Sequence, residues 1–195
     1  RWRLQNEPQL LMDRDNPAQI RIDPAGPRVL LPVDPRVGGL LVQDEETSTW
    51  SIVPVDLCFP VLHGPYGEDG TVQGLLELAG LPYVGAGVVG SAVGMDKDVM
   101  KRLLRDAGLP TPRFMVVYQR RWNHDAPKTQ QAIWEDFEPP VFVKPANLGS
   151  SVGVTKVVER EGLPAALEFA FLYDTKAIIE EGVVGREIEC AVMGN

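Results

Sequence analysis

Between Val141 and Glu159 two apolar runs, "VFVK" and "VGVTKVVE", flank the loop "PANLGSS". The pattern is strand, loop, strand, with a lysine at the end of the first run and a glycine-serine turn leading into the second. Lys144 precedes the glycines, and no "GxxxxGK" followed by Ser or Thr occurs here, so a phosphate cradle in this segment would lie between two strands and not at a strand-to-helix turn. Two readings stay open from spacing. Gly149 and Gly153 either permit an ordinary hairpin turn with Lys144 solvated, or let backbone N–H groups converge on an anion that Lys144 also meets. A buried, unpaired ammonium would cost several kcal/mol, so Lys144 reaches either water or an anion.

Lys97 is a second anomaly. It follows Asp96, an N-cap candidate, at a helix start where the macrodipole disfavours a cation by about 0.3–1 kcal/mol. An exposed lysine bending into water accounts for it, as does a phosphate sharing the site. In "EEGVVGREIE", Glu180 and Glu181 end one apolar run, and Glu187 and Glu189 alternate with apolar residues in the next. Alternation predicts a strand with those two glutamates on one face and Ile188, Cys190 and Val192 packed on the other. His63 ends the apolar run Val55–Leu62, read as a buried parallel strand, and "GEDG" follows it, with Glu68 and Asp69 expected mainly as helix caps.

Helical spacing of Val72, Leu75, Leu76 and Ala79, closed by Gly80 and Pro82, predicts one helix. Met100, Leu103, Leu104 and Ala107 predict the apolar face of another, and the glycine-rich stretch between them suits a short strand and a short helical turn. Beyond Thr111, strands at "RFMVVYQ", "PVFVK", "VGVTKVVE", "AIIEE" and "REIECAV" join a polar helix near Gln130–Phe137 and an amphipathic one on Leu163, Leu167, Ala170 and Phe171. A parallel α/β unit therefore precedes a boundary near Asp96–Pro112, and a mainly antiparallel α+β unit follows it. Up to Thr49, Pro8, Pro17, Pro24, Pro27, Pro32 and Pro35 break the pattern into short strands and loops.

Composition narrows the function classes. With 195 residues, 44% of them hydrophobic, the chain can bury a core, and 27 acidic against 19 basic residues, a net charge of -8, argue against a nucleic-acid partner. Two distant cysteines, Cys58 and Cys190, indicate neither a disulfide framework nor a cysteine metal site and point to a reducing, cytoplasmic setting. No apolar run approaches the roughly 20 residues needed to span a bilayer, so no membrane partner is expected.

Taken together, "HGPYGEDGTVQGLLELAGLPYVG", "SAVGMDKDVMKRLLRDAGLPTP", "VKPANLGSSVGV" and "EEGVVGREIECAVMGN" resemble the motifs, in order, of D-alanine:D-alanine ligases of the ATP-grasp superfamily. The resemblance covers most of the chain after Val55. It implies a Rossmann-like parallel-sheet N-terminal (pre-ATP-grasp) domain at 1–95, followed by an incomplete ATP-grasp domain at 96–195, whose central subdomain runs over about 113–185 and whose C-terminal subdomain begins at 186–195. It also implies ATP-dependent joining of two D-alanines through an acyl phosphate for peptidoglycan precursors, in a cytoplasmic homodimer.

By position, the resemblance assigns Lys97 and Lys144 to ATP phosphates, Ser150 and Ser151 to a loop closing over them, and Glu180, Glu181 and Val183 to the adenine border. Glu187 would take the ribose hydroxyls, and His63 and Ser150 would stand at the reacting groups, His63 on the first D-alanine. Where the family usually carries a bulky apolar residue, this chain has Gly182, implying a thinner wall to the adenine pocket. The family's first glycine-rich strand would precede Arg1, and its catalytic arginine and magnesium ligands would follow Asn195. These 195 residues are therefore expected to be an internal portion, inactive alone. A D-lactate- or D-serine-using relative, or an idle nucleotide-binding fragment, are the alternatives.

Overall fold

The computed structural model describes residues 2–5, 26–44 and 46–192. The chain divides into two units, Arg1–Leu62 with Gly70–Val88, and His63–Asp69 with Val89–Asn195.

In the first unit, β1 (Val29–Leu30), β2 (Gly39–Gln43) and β3 (Trp50–Pro54) form an antiparallel meander in the order β1-β2-β3. Helix α1 (Thr71–Ala79) buries Val72, Leu76 and Ala79 together with Leu81. Gly80 ends it at φ 65°, donating back to Glu77 and Leu76, and its α-carbon sits so close to Pro35 that a Cβ would meet the proline ring at 2.8 Å. Both demands select glycine.

The expected buried parallel strand at Val55–Leu62 is different. Its only ladder step among the described residues is the parallel bridge Cys58–Tyr83, and Leu57, Phe59, Val61 and Leu62 are exposed. A parallel strand needs neighbours and covering helices on both faces. With one bridge and no second ladder among the described residues, the run rests only Val55 and Cys58 on the α1 cluster and leaves its other large apolar side chains exposed. The mixed α/β class holds, while the sheet seen in this unit is antiparallel. Pro8, Pro17 and Pro24 lie outside the described residues.

The second unit contains α2 (Val88–Met95), α3 (Lys97–Asp106), β4 (Phe114–Tyr118), α4 (Gln119–His124), α5 (Ala126–Asp136), β5 (Val141–Pro145), β6 (Thr155–Val157), α6 (Leu163–Phe171) and β7 (Lys176–Glu181). The four strands form one antiparallel sheet in the order β4-β7-β5-β6, with β7 central. Strand alternation separates its two faces. Val117, Val141, Val143, Val157, Ala177 and Ile179 join Trp122, Ile133, Leu163, Leu167 and Ala170 in the main apolar core. The intervening residues, Lys144, Lys176 and Glu180 among them, occupy the opposite face.

That polar face explains why α3 departs from expectation. Its buried residues are Asp98 and Lys101, while Leu103 is exposed and Met100 and Leu104 are half-buried. Charges on the sheet must be paired when covered, so the helix turns its ionic side inward. Lys101 lies 5.7 Å from the Phe114 ring on that same face.

The predicted strand at Arg186–Val192 is a second correction. The segment is irregular, with Ile188 and Val192 exposed, and no strand among the described residues offers it a ladder. Helix α4, unmarked by any cap signal, was not legible in the sequence.

Candidate functional site

β5 and β7 position the central charges. Phe142 pairs with Glu180 and Lys144 with Ile178, so Lys144 and Glu180 are diagonal neighbours on one sheet face. Glu180, 7% exposed, makes ion pairs with both Lys144 and Lys101, the latter one helical turn beyond Lys97. Burial pushes the Glu180 carboxyl up, but the hydrogen bonds from Lys101 and Lys144 outweigh it and hold the group below its ordinary 4.5. An ammonium has three donors, so the bond to Glu180 leaves Lys144 two further N–H groups for an anion.

Lys97 opens α3, where the Asp96 carboxylate caps the amides of Asp98 and Val99 at 3.0 and 3.2 Å. Its half-buried ammonium donates to the carbonyls of Leu148 and, at 3.3 Å, Ala146, tying the helix start to the glycine-serine loop. Burial first, and the charge of Lys144 second, push Lys97 below its ordinary 10.5, while Asp174, Asp96 and Glu180 oppose the shift. Two ammonium groups thus repel each other beside the loop, a repulsion that an anion between them would relieve.

The loop is strained where it turns. Ser150 and Ser151 have φ 50° and 56°, an arrangement that costs non-glycine residues of order 1–2 kcal/mol each. Gly153, at φ 74°, is pressed against Pro145 and Tyr173, where a Cβ would meet them at 2.7 and 2.9 Å. The loop's root is fixed by Asn147, whose amide and side chain both donate to Asp174 at 2.9 Å. Behind the lysines a second ion cluster joins Lys176 to Asp96 at 2.5 Å and to Asp98 at 3.4 Å, and Arg102 also holds Asp98.

Lys97, Lys144, Glu180 and the Ser150–Ser151 loop therefore belong to one neighbourhood. The remaining expected site residues stand apart from it. Glu181 points to the other face, where Arg113 binds it through its side chain at 2.9 Å and its amide at 2.7 Å, so the paired glutamates do not act together. Val183 is 65% exposed, and Glu187 lies exposed in the irregular segment.

His63 is exposed, with Nδ1 3.7 Å from Glu68, and among the described residues it makes no hydrogen bond or ion pair with the lysines. The N-cap position of α1 is Gly70, not Glu68 or Asp69. Glu68 and Asp69 accept from the amides of Gly64 at 2.5 Å and Tyr66 at 2.8 Å, closing the loop after His63 on itself. Lys101, Lys176, Asp98 and Arg113 were missed in the sequence. Spacing of four between Lys97 and Lys101 was the available signal for the first of them.

Gly182 also has a local reason. Its amide donates to Pro140 O at 3.0 Å, and a Cβ there would approach that oxygen to 2.7 Å. The glycine allows a close backbone approach at the exit of β7.

Two sequence models of one family match most of the chain: the D-ala D-ala ligase N-terminus over residues 1–86 and the D-ala D-ala ligase C-terminus over residues 103–195. The chain belongs to the D-alanine:D-alanine ligase family. A D-alanine--D-alanine ligase of Sodalis glossinidius is 47% identical over 195 residues, all of this chain and 52% of the relative. One from Thermoanaerobacter sp. is 58% identical over 142 residues, 73% of this chain and 39% of the relative. Among solved structures, the VanG D-Ala:D-Ser ligase of Enterococcus faecalis superposes with a TM-score of 0.71 at 42% identity, covering 82% of this chain and 43% of that one. The D-alanine-D-alanine ligase of Helicobacter pylori gives 0.63 at 29%, covering 76% and 43%. The chain spans about half the length of the curated ligases it matches end to end.

Proposed function

We propose that this chain is the ATP-holding portion of a ligase that joins two D-alanines through an acyl phosphate in cytoplasmic peptidoglycan precursor synthesis. The observation that carries the reading is the convergence of Lys97 and Lys144 beside the loop of Ser150 and Ser151. Phosphoryl transfer is chiefly positioning and charge neutralisation, which two ammonium groups and a strained loop that can close over phosphate supply. Glu180, itself paired with Lys101, holds Lys144 in place. In the same reading Glu181, Val183 and Glu187 border the nucleoside and His63 meets the first D-alanine. The ATP-grasp domain begins at 96, after a pre-ATP-grasp domain of 1–95, and the complete enzyme is a homodimer.

Magnesium accompanies ATP in this reading, and among the described residues no group of three His, Cys, Asp or Glu side chains is arranged to hold it. Its ligands are proposed beyond Asn195.

In the full-length protein, Lys144→Ala should abolish D-alanine-dependent phosphate release, and near-normal turnover would sink the phosphate assignment. The likeness to a D-Ala:D-Ser ligase supports a second reading with the same fold and D-serine as the incoming amine. Turnover measured with D-alanine, D-serine and D-lactate as second substrate decides between them.

A further inference from the structure

A hollow of about 550 Å³ lies where α4 meets α5, lined by Tyr118, Arg120, Arg121, His124, Asp125 and Lys128. Trp122 sinks into the core and pins α4, which leaves Arg120, Arg121 and His124 exposed along its outer side. Lys128 comes from the first turn of α5.

The charge balance of this hollow is unusual for an acidic chain. Three permanent cations face one carboxylate, and that carboxylate is already engaged, because Asp125 caps the amide of Lys128 at 3.0 Å. Among the described residues Arg120, Arg121, His124 and Lys128 form no ion pair, although acids outnumber bases by 27 to 19 in the sequence. Other basic side chains did find acids: Arg102, Arg113, Arg160 and Lys176 are all paired. Crowded like charges repel within a Debye length of about 8–10 Å, so the cluster is complementary to a multivalent anion.

We propose that this hollow binds a small anion carrying two or more phosphate groups, at a site separate from Lys97 and Lys144. Arg121 and Arg120 supply fork-shaped donors suited to phosphate oxygens, and Lys128 adds a point charge from the facing helix. The exposed Tyr118 ring at the rim offers a surface on which a base could stack. Separation follows from the sheet. Lys144 on β5 pairs with Ile178 of β7, which pairs with Val116 of β4, so Tyr118 lies two residues along and two strands across from Lys144, about 12 Å at the usual strand rise and spacing. A concave, local cluster on a chain of net charge -8 favours a small anion over an extended nucleic acid or a membrane surface.

The test uses full-length protein and inorganic pyrophosphate, titrated by calorimetry with a non-hydrolysable ATP analogue at saturation, alongside amide NMR shifts. Pyrophosphate should bind saturably in the presence of the analogue and shift the resonances of residues 119–129. Arg121→Gln combined with Lys128→Gln should weaken it at least tenfold with an unchanged melting temperature, both side chains being exposed, and Arg121→Lys should retain most of the affinity. The proposal is overturned if the analogue displaces pyrophosphate, if the double variant binds as tightly as the parent, if the shifts map to 144–153 instead, or if chloride and sulfate bind equally well, which would mark an adventitious ion only. The NMR mapping stays decisive even if the analogue itself fails to bind, so this site and the ligase reading fail separately.

Discussion

Glu180 is the residue on which two lysines depend. Glu180→Gln keeps its shape but leaves buried Lys101 and half-buried Lys144 without a countercharge, and breaking a buried pair typically costs about 3–5 kcal/mol. Urea denaturation should show that loss. Lys97 makes a complementary prediction, because its depressed pKa reflects burial and the charge of Lys144. An ATP analogue between the two ammonium groups should move the Lys97 titration upward, read from the side-chain carbon next to its nitrogen by NMR, and an unmoved titration would remove Lys97 from the phosphate site.

At Gly182 a Cβ would approach the Pro140 carbonyl to 2.7 Å, so Gly182→Ala is expected to cost about 1–3 kcal/mol and lower the melting temperature. Lys97 and Lys144 were legible because each broke a local rule. Lys101 was not, because a lysine among Met100, Leu103 and Leu104 reads as a solvated side chain until the sheet beneath it is known to be charged.

At the scale of elements, α3 and β7 show where periodicity misleads. Spacing located α3 correctly and assigned its buried side to the apolar residues, yet Asp98 and Lys101 are the ones inside. Periodicity reports amphipathicity and not which side meets the neighbour, and here the neighbour carries Lys144, Lys176 and Glu180. By contrast α1, α6 and the strands β4 to β7 were legible, since their apolar faces meet apolar cores.

The α3 contacts predict a pH dependence. Burial raises the pKa of Asp96, but the hydrogen bond from Lys176 prevails and holds it below 3.8, and Glu180 is likewise held below 4.5. Both carboxyls are depressed in the folded state, so their stabilisation is complete above those ordinary values and is lost as pH falls through the lower folded ones. Urea midpoints followed from pH 7 to pH 2 should fall, and less steeply in Glu180→Gln. Asp96→Asn keeps a cap acceptor and removes the ion pair, whereas Asp96→Ala removes both, so the two variants should differ by about 1 kcal/mol.

For the molecule as a whole, the sequence motifs carried the family and the antiparallel second unit, while the parallel sheet expected near Val55–Leu62 is reduced to one bridge among the described residues. Parallel pairing depends on partners distant in sequence, which no local pattern encodes. The two-faced sheet has a further consequence, for register. If β7 slipped by one residue, Lys176 and Glu180 would enter the core beside Leu163 and Leu167, and Ala177 and Ile179 would face the charges of α3. Because β4 and β5 both hydrogen-bond to β7, its alignment fixes theirs. The ionic layer thus acts as an assembly checkpoint: a chain that closes its apolar core has, by the same act, delivered Lys144 to Glu180 on the opposite face.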